Sequence, residues 1–284
     1  MTGFALGLVL LAAVFHATWN LLAKRAGAGG PEFVWLFGVL SVAIYLPVAL
    51  VVLVVTHPVL GIAQIGFIAG SGTIHTGYYT VLQRGYGKGD LSLVYPLARG
   101  TGPMLSTAAA IVAFGEHPTA LALAGAACVC AGVLAIGSGG RHGAVRPAIT
   151  LGLLTGCIIA AYTLWDKHTV SSLSVPAVIL DWGANVVRSA WLTPVAARRR
   201  DGVREVWRRH RREAVGIAIL SPLAYILVLV ALARSDVSYI APAREVSILI
   251  GTLLGIRVLE EEALGLRIAG AVAIVAGVVC LALG

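Results

Sequence analysis

Polarity along the chain changes on a long wavelength. About twenty apolar residues are followed by a short polar or glycine-rich connector, and then by another apolar run. Ten such runs are drawn, roughly at 3–24, 33–55, 61–83, 91–114, 118–138, 148–166, 175–196, 214–233, 237–258 and 264–283. A helix needs about 20 apolar residues to span a bilayer, and a barrel strand about half that. A helix also satisfies its own backbone in lipid. The connectors "GAGGPE", "THPVLG", "GYGKGD", "GEHP" and "GSGGRHG" carry the residues that end helices. The predicted fold is all-α and integral to the membrane, with ten transmembrane helices and no soluble domain between them. The first run lacks a basic leader and a small-x-small cleavage site, so it reads as a spanning helix rather than a signal peptide.

The chain also repeats itself at an offset of 146 residues. Trp19 matches Trp165, Asn20 matches Asp166, Gly70 matches Gly216, and Tyr79 matches Tyr225. The same offset pairs Lys88 with Arg234, Asp90 with Asp236, Ser92 with Ser238, Pro96 with Pro242, and Glu116 with Glu262. This divides the chain into two five-helix repeats, 1–140 and 141–284, forming one structural unit. Five is odd, so the second repeat enters the membrane from the opposite side. Inverted repeats are a common build for secondary transporters, with the substrate cavity between the halves.

Composition agrees with the pattern. Of the residues 58% are hydrophobic and 12% charged, with mean hydropathy +0.91; a soluble domain carries about 25% charged residues. The net charge of +8 is concentrated in "ARRRDGVREVWRRHRRE", residues 197–213. In a membrane chain such a segment is read as a cytoplasmic loop lying against anionic lipid rather than as a nucleic-acid site. Loops after odd-numbered helices hold that segment together with Lys24, Arg25, Arg84, Lys88, Arg141, Arg146, Arg257 and Arg267. Loops after even-numbered helices hold only Lys167 and Arg234. Loop 197–213 is therefore predicted cytoplasmic and both termini outside, in a plasma or inner membrane. Cys128, Cys130, Cys157 and Cys280 lie in apolar runs with no zinc or redox spacing, and neither metal nor cofactor is expected.

The first run carries "HATWNLLAKR", and "GDLSLVYPLARG" opens the fourth. "FGEHPTALALAGAACVCAGVLAI" and "LEEEALGLRIAGAVAIVAGVVCLAL" close the two halves. In these features the chain resembles the drug/metabolite transporter superfamily, and within it the EamA type. The resemblance implies a ten-helix fold, a central cavity and alternating access. Its members move amino acids, nucleosides, sugar phosphates, quaternary amines or drugs, often outward. Many are drawn with cytoplasmic termini, whereas the charges of this chain place them outside.

Ionisable residues at membrane depth cost about 2.5–3.5 kcal/mol each on insertion scales, so they mark pathways or pair with one another. In the fourth helix Tyr95 and Arg99 share a stripe, and Pro96 removes one helix hydrogen bond. In the ninth, Pro242 precedes Arg244 and Glu245. The repeat aligns Arg99 with Glu245, so the two are expected either to bind substrate or to pair with each other. Glu245 is also a candidate carrier of a coupling proton. His75, Tyr78 and Tyr79 share a face of the third helix, and Tyr225 of the eighth is the repeat mate of Tyr79. His16, Trp19 and Asn20 in the first helix, and Tyr162, Trp165 and Asp166 in the sixth, lie near helix ends. They line the cavity or sit at the membrane interface. Asp181, Asn185 and Arg188 run i, i+4, i+7 in the seventh helix, lining the cavity or neutralising one another. Glu116 and Glu262 are read as complementing the dipoles of the helices they open. The pairs Gly66/Gly70, Gly152/Gly156 and Gly251/Gly255 are read as close helix contacts.

The function this supports is a secondary transporter, exporter or exchanger, of a small polar or amphipathic metabolite. A membrane enzyme and a non-transporting subunit are the alternatives. Neither a catalytic cluster nor a phosphate loop of the GxxxxGKS type is present, so neither an enzyme nor ATP-driven transport by this chain is expected. The expected partners are the small-molecule substrate, the lipid bilayer and a coupling proton.

Overall fold

The computed structural model of the chain describes residues 1–26, 30–88, 91–137, 145–251 and 265–284. Among these no strand forms. The helices are α1 (Gly3–Arg25), α2 (Pro31–Thr56), α3 (Ile62–Lys88), α4 (Leu91–Phe114), α5 (Ala120–Gly137), α6 (Val145–Ser171), α7 (Ala177–Arg198), α8 (Arg200–Arg234), α9 (Val237–Ala243) and α10 (Gly265–Leu283). A further helical stretch covers 246–251. Four of the described helices are long and apolar enough to cross a membrane, with spans at Gly3–Ala23, Pro31–Thr56, Ile149–Ser171 and Arg200–Arg234.

Three expectations change. The arginine-rich segment is not a loop: α7 ends at Arg198, α8 begins at Arg200, and only Arg199 joins them. Arginine is a good helix former. The segment also lays Val206 against a cluster containing Phe33, Phe37 and Ile217. Ion pairs Arg209–Glu205 (2.9 Å) and Arg204–Asp201 (3.4 Å) line its outer face. The backbone leaves helical geometry at His210 (φ −127°, ψ 26°), where the basic stretch meets the apolar one. Second, α6 runs to Ser171 instead of ending near 166. Third, the matching prolines do not act alike. Helix α4 continues through Pro96, whereas the ninth helix stops one residue beyond Pro242.

Side-chain polarity is arranged the opposite way from a soluble protein. Val48, Val51, Val54 and Val55 of α2 and Val272, Val275 and Val279 of α10 are exposed. Arg99, Asp166, Asp181, Arg188, Arg244 and Glu245 are buried. Buried charges enclosed by an exposed apolar surface are stable where the solvent is lipid.

The helix contacts follow a regular scheme. Helix α2 packs on α7, α4 on α9, and α5 on α10. Helix α1 meets α8 as α3 meets α6, and α2 meets α8 as α3 meets α7. Moving five helices along the chain maps these contacts onto each other. The α2–α7 pair is antiparallel: Trp35 Nε1 donates to Thr193 Oγ1 (3.0 Å), and Trp182 Nε1 donates to the Val42 carbonyl (3.0 Å). The α5–α10 pair is antiparallel too, with Gly125 against Gly277 and Gly132 against Gly270. Of the expected glycine pairs, Gly152/Gly156 does bring α6 onto α4, at Val94, Leu97 and Thr101. Gly66 and Gly251 have open space beside them among the described residues. Gly70 lies under the Trp165 indole, and Gly255 falls outside the described residues.

Glu116 supports a helix other than its own. Its buried carboxylate accepts hydrogen bonds from the backbone N–H groups of Val237 (2.7 Å) and Ser238 (2.9 Å), the first turn of α9. Those donors have no partner within their helix. Charge-assisted bonds of this kind are worth about 1.5–3 kcal/mol. Glu116→Ala is therefore expected to lower stability by about that amount, measured by unfolding in mild detergent. An unchanged midpoint would show that α9 holds its start without the carboxylate. Glu262 lies outside the described residues.

Candidate functional site

The ninth helix breaks one residue past Pro242, which has no N–H to offer the carbonyl four residues back. Arg244 and Glu245 form a turn there. The bonds Glu245 N to Pro242 O (2.9 Å) and Ile248 N to Glu245 O (2.9 Å) tighten the backbone before the next helical stretch. The break places two charged side chains side by side in the interior, Glu245 fully buried and Arg244 nearly so.

They behave differently. Arg99 Nε of α4 lies 2.9 Å from Glu245 Oε2, and Arg99 Nη2 donates to Ser247 Oγ at 3.2 Å. Glu245 Oε1 is buried with no hydrogen-bond partner among the described residues. Arg244 instead donates from Nη2 to the Tyr162 hydroxyl (3.1 Å), and its guanidinium carbon lies 5.8 Å from the centroid of that ring. Among the described residues no carboxylate forms an ion pair with Arg244.

Beside the break lies a cavity of about 80 Å³. His16 and Trp19 of α1, His75, Tyr78 and Tyr79 of α3, and Arg99 of α4 come from the first half of the chain. Tyr162 of α6, Asp181, Asn185 and Arg188 of α7, Ser221 and Tyr225 of α8, and Arg244 come from the second. Four tyrosines, from α3, α6 and α8, share the wall with these charged and amide groups and with the small apolar side chains of Ala12, Ala184, Ala224 and Val228.

Two polar chains order this wall. In α7, Asn185 Nδ2 donates to Asp181 Oδ2 (3.1 Å), and Arg188 Nη2 donates to Asn185 Oδ1. The Arg188 guanidinium also lies over the rings of Tyr79 (5.0 Å) and Phe37 (5.4 Å). The i, i+4, i+7 spacing thus builds a single relay of carboxylate, amide and guanidinium. In the second chain, Asp166 Oδ2 meets both His75 Nε2 (3.1 Å) and the Tyr225 hydroxyl. The His75 ring stacks on Tyr162 at 4.3 Å and stands edge-on to Tyr225 at 5.2 Å.

Several residues singled out in the sequence sit elsewhere. Asn20 donates to the His16 carbonyl of its own helix (2.7 Å) and does not line the cavity. Trp165 also stays outside it, donating to the Phe67 carbonyl (2.8 Å) and stacking on that ring at 4.4 Å. Trp19 does line the cavity, edge-on to His16 at 4.9 Å. The side chains of Tyr95 and Pro96 lie outside the described residues. His16, Tyr162, Asp166, Arg188 and Ser221 take larger parts than the sequence assigned to them. For Asp166 the reason is length: α6 continues five residues beyond it, which moves the carboxylate from a helix end to the interior. The signal available was its i, i+4 spacing from Tyr162.

Residues 146–283 match the sequence profile of the EamA-like transporter family. A solved crystal structure at 17% sequence identity superposes with a TM-score of 0.81, covering 100% of this chain and 98% of that chain. At that identity the likeness shows the fold. No curated protein matches the chain.

Proposed function

We propose, on the premise that the chain belongs through residues 146–283 to the EamA-like transporter family, that the protein is a secondary transporter. It carries a small polar or amphipathic metabolite across the membrane, as an exporter or exchanger. The observation that carries this reading is a polar cavity walled by both halves of the chain and set against a broken helix. A transporter needs such a site near the membrane midplane, and discontinuous helices are the usual way to build one.

The two halves, 1–140 and 141–284, act as inverted five-helix repeats. The antiparallel pairs α2–α7 and α5–α10, and the recurrence of helix contacts five helices on, support this. Alternating access then means rocking of one half against the other around the cavity. Lipid faces the valine-rich outer surfaces of α2 and α10. The basic first part of α8 is cytoplasmic and the termini are outside. Arg208→Cys, in a chain with its four cysteines replaced, is expected to resist a membrane-impermeant thiol reagent added to intact cells. Labelling from outside would reverse the orientation.

Arg244 is assigned to substrate because it lines the cavity and, among the described residues, is in direct ion-pair contact with no carboxylate. Transport is tested in proteoliposomes with radiolabelled carboxylates, amino acids and phosphate esters. At least one class is expected to accumulate above protein-free vesicles. Arg244→Gln is expected to reduce that flux by about tenfold or more, the loss of one charge-assisted hydrogen bond. Failure of every class to move would contradict the reading.

A further inference from the structure

We propose that His75 and Asp166 together form a proton-binding site opening on the cavity, with the imidazole receiving the proton and the carboxylate serving as its fixed counter-charge. Its use in coupling rests on the transporter reading; the binding of a proton to the pair does not.

Asp166 is fully buried, and its Oδ1 has no hydrogen-bond partner among the described residues. Its Oδ2 is met by two groups that are neutral in their ordinary forms, the Tyr225 hydroxyl and the His75 imidazole. Among the described residues no arginine or lysine pairs with it. Lys167, next in sequence, is committed to the carbonyls of Leu232 (2.8 Å) and Ser235 (3.1 Å). A buried carboxylate without a cationic partner is costly. The group in place to supply that cation is His75.

His75 also has the access that Asp166 lacks. It lines the cavity with its side chain 15% exposed, whereas the carboxylate behind it is 0% exposed. A carboxylate only accepts hydrogen bonds, so a neutral His75 must carry its hydrogen on Nε2, leaving Nδ1 as the acceptor. Binding is then one balanced step. A hydronium ion in the cavity gives a proton to Nδ1, an N–H bond forms, and water is left. The imidazolium charge is neutralised by Asp166 through Nε2–H. Release is the reverse.

The surrounding groups come from every neighbouring helix. Tyr162 and Tyr225 flank the imidazole, Tyr78 stands edge-on to Tyr162, and Tyr225 shares the carboxylate. Asp181 and Arg188 lie across the cavity on α7, His16 on α1, Arg99 on α4 and Arg244 at the break. Arg99 already faces Glu245, and Arg188 is joined through Asn185 to Asp181. Glu245 is the other candidate proton carrier, but it is held by Arg99 and does not line the cavity. The His75 pair reaches the substrate side through a single ring: Tyr162 stacks on His75 and accepts from Arg244.

The test uses the full chain in detergent micelles and the proton itself as ligand. Proton uptake is measured with a pH-indicator dye on passing from about pH 8 to about pH 5, the range in which imidazoles change charge. The wild type is expected to take up one proton more than His75→Gln, and Asp166→Asn, which lacks the counter-charge, to take that proton up only at lower pH than the wild type. Glu245→Gln is expected to match the wild type. In ¹⁵N-histidine-labelled wild-type protein, the His75 resonance, identified by its absence in His75→Gln, should pass from an Nε2–H tautomer to the doubly protonated form. This second measurement holds even if Asp166→Asn does not fold. A His75 that keeps one protonation state across the range, or uptake lost in Glu245→Gln instead, would overturn the proposal. Because no flux is measured, such a result leaves the transporter reading standing. A protein that binds the proton yet moves no solute would sink that reading alone.

Discussion

Arg99→Ala is expected to destabilise the protein by about 3–5 kcal/mol, the cost of leaving a buried carboxylate without its partner. Glu245 is fully buried, and Arg99 Nε at 2.9 Å is its ion-pair partner. Removing the guanidinium strands the charge in the interior, at the point where the ninth helix already lacks a regular backbone. Glu245→Ala strands Arg99 in the same way and is expected to cost a similar amount. Replacing both with apolar residues of similar volume, Arg99→Met with Glu245→Leu, is expected to cost much less than the sum of the single changes, because no orphan charge is left. Unfolding of the four proteins in mild detergent gives the comparison. If Arg99→Ala were as stable as the wild type, the pair would not hold α4 to the break. If the double substitution restores folding but not flux, the pair belongs to the transport cycle as well as to the architecture.

The second large effect is at the contact of α5 with α10. A Cβ added at Gly277 would lie 2.6 Å from the Gly125 carbonyl oxygen and 2.7 Å from a Val129 methyl; one at Gly125 would lie 2.6 Å from the Gly277 carbonyl. The nearest obstacle on each side is a backbone carbonyl oxygen, which no rotamer change moves aside. Overpacking usually costs about 1–3 kcal/mol, and Gly277→Val is expected at the top of that range, read as a lower unfolding midpoint. Gly66→Ala is the control. Nothing lies within 4 Å of the added methyl there, and exchanging glycine for alanine inside a helix favours folding by about 1 kcal/mol. Equal midpoints for Gly277→Val and the wild type would mean that the two helices do not approach as closely as the glycines permit.

The long apolar runs were legible because lipid demands them: a span is counted by length alone. The offset of 146 residues was legible because Trp, Tyr, Pro and Glu recur at it, and it put Arg99 opposite Glu245 before any coordinates did. What charge alone signals was misread. Residues 200–210 look like a loop in composition, yet Val206 packs inward and the ions pair along the helix, so the segment is helical. Asp166 was obscured by an early helix end, although its spacing from Tyr162 already put both on one face. The contacts of α5 with α10 were missed because Gly125 and Gly132, like Gly270 and Gly277, are seven residues apart rather than four. Glu116 was assigned to its own helix. Its real partners, the N–H groups of Val237 and Ser238, are more than a hundred residues away and carry no sequence signal.

On the proposed mechanism, the cavity between the two halves is reached alternately from the two sides of the membrane. Ser221 lines it and is small enough to replace without filling it. In a chain with Cys128, Cys130, Cys157 and Cys280 replaced, Ser221→Cys is tested with a membrane-impermeant maleimide, applied in turn to each side of membrane vesicles. Labelling from both sides in the same preparation is expected; labelling confined to one side would show that the cavity does not alternate.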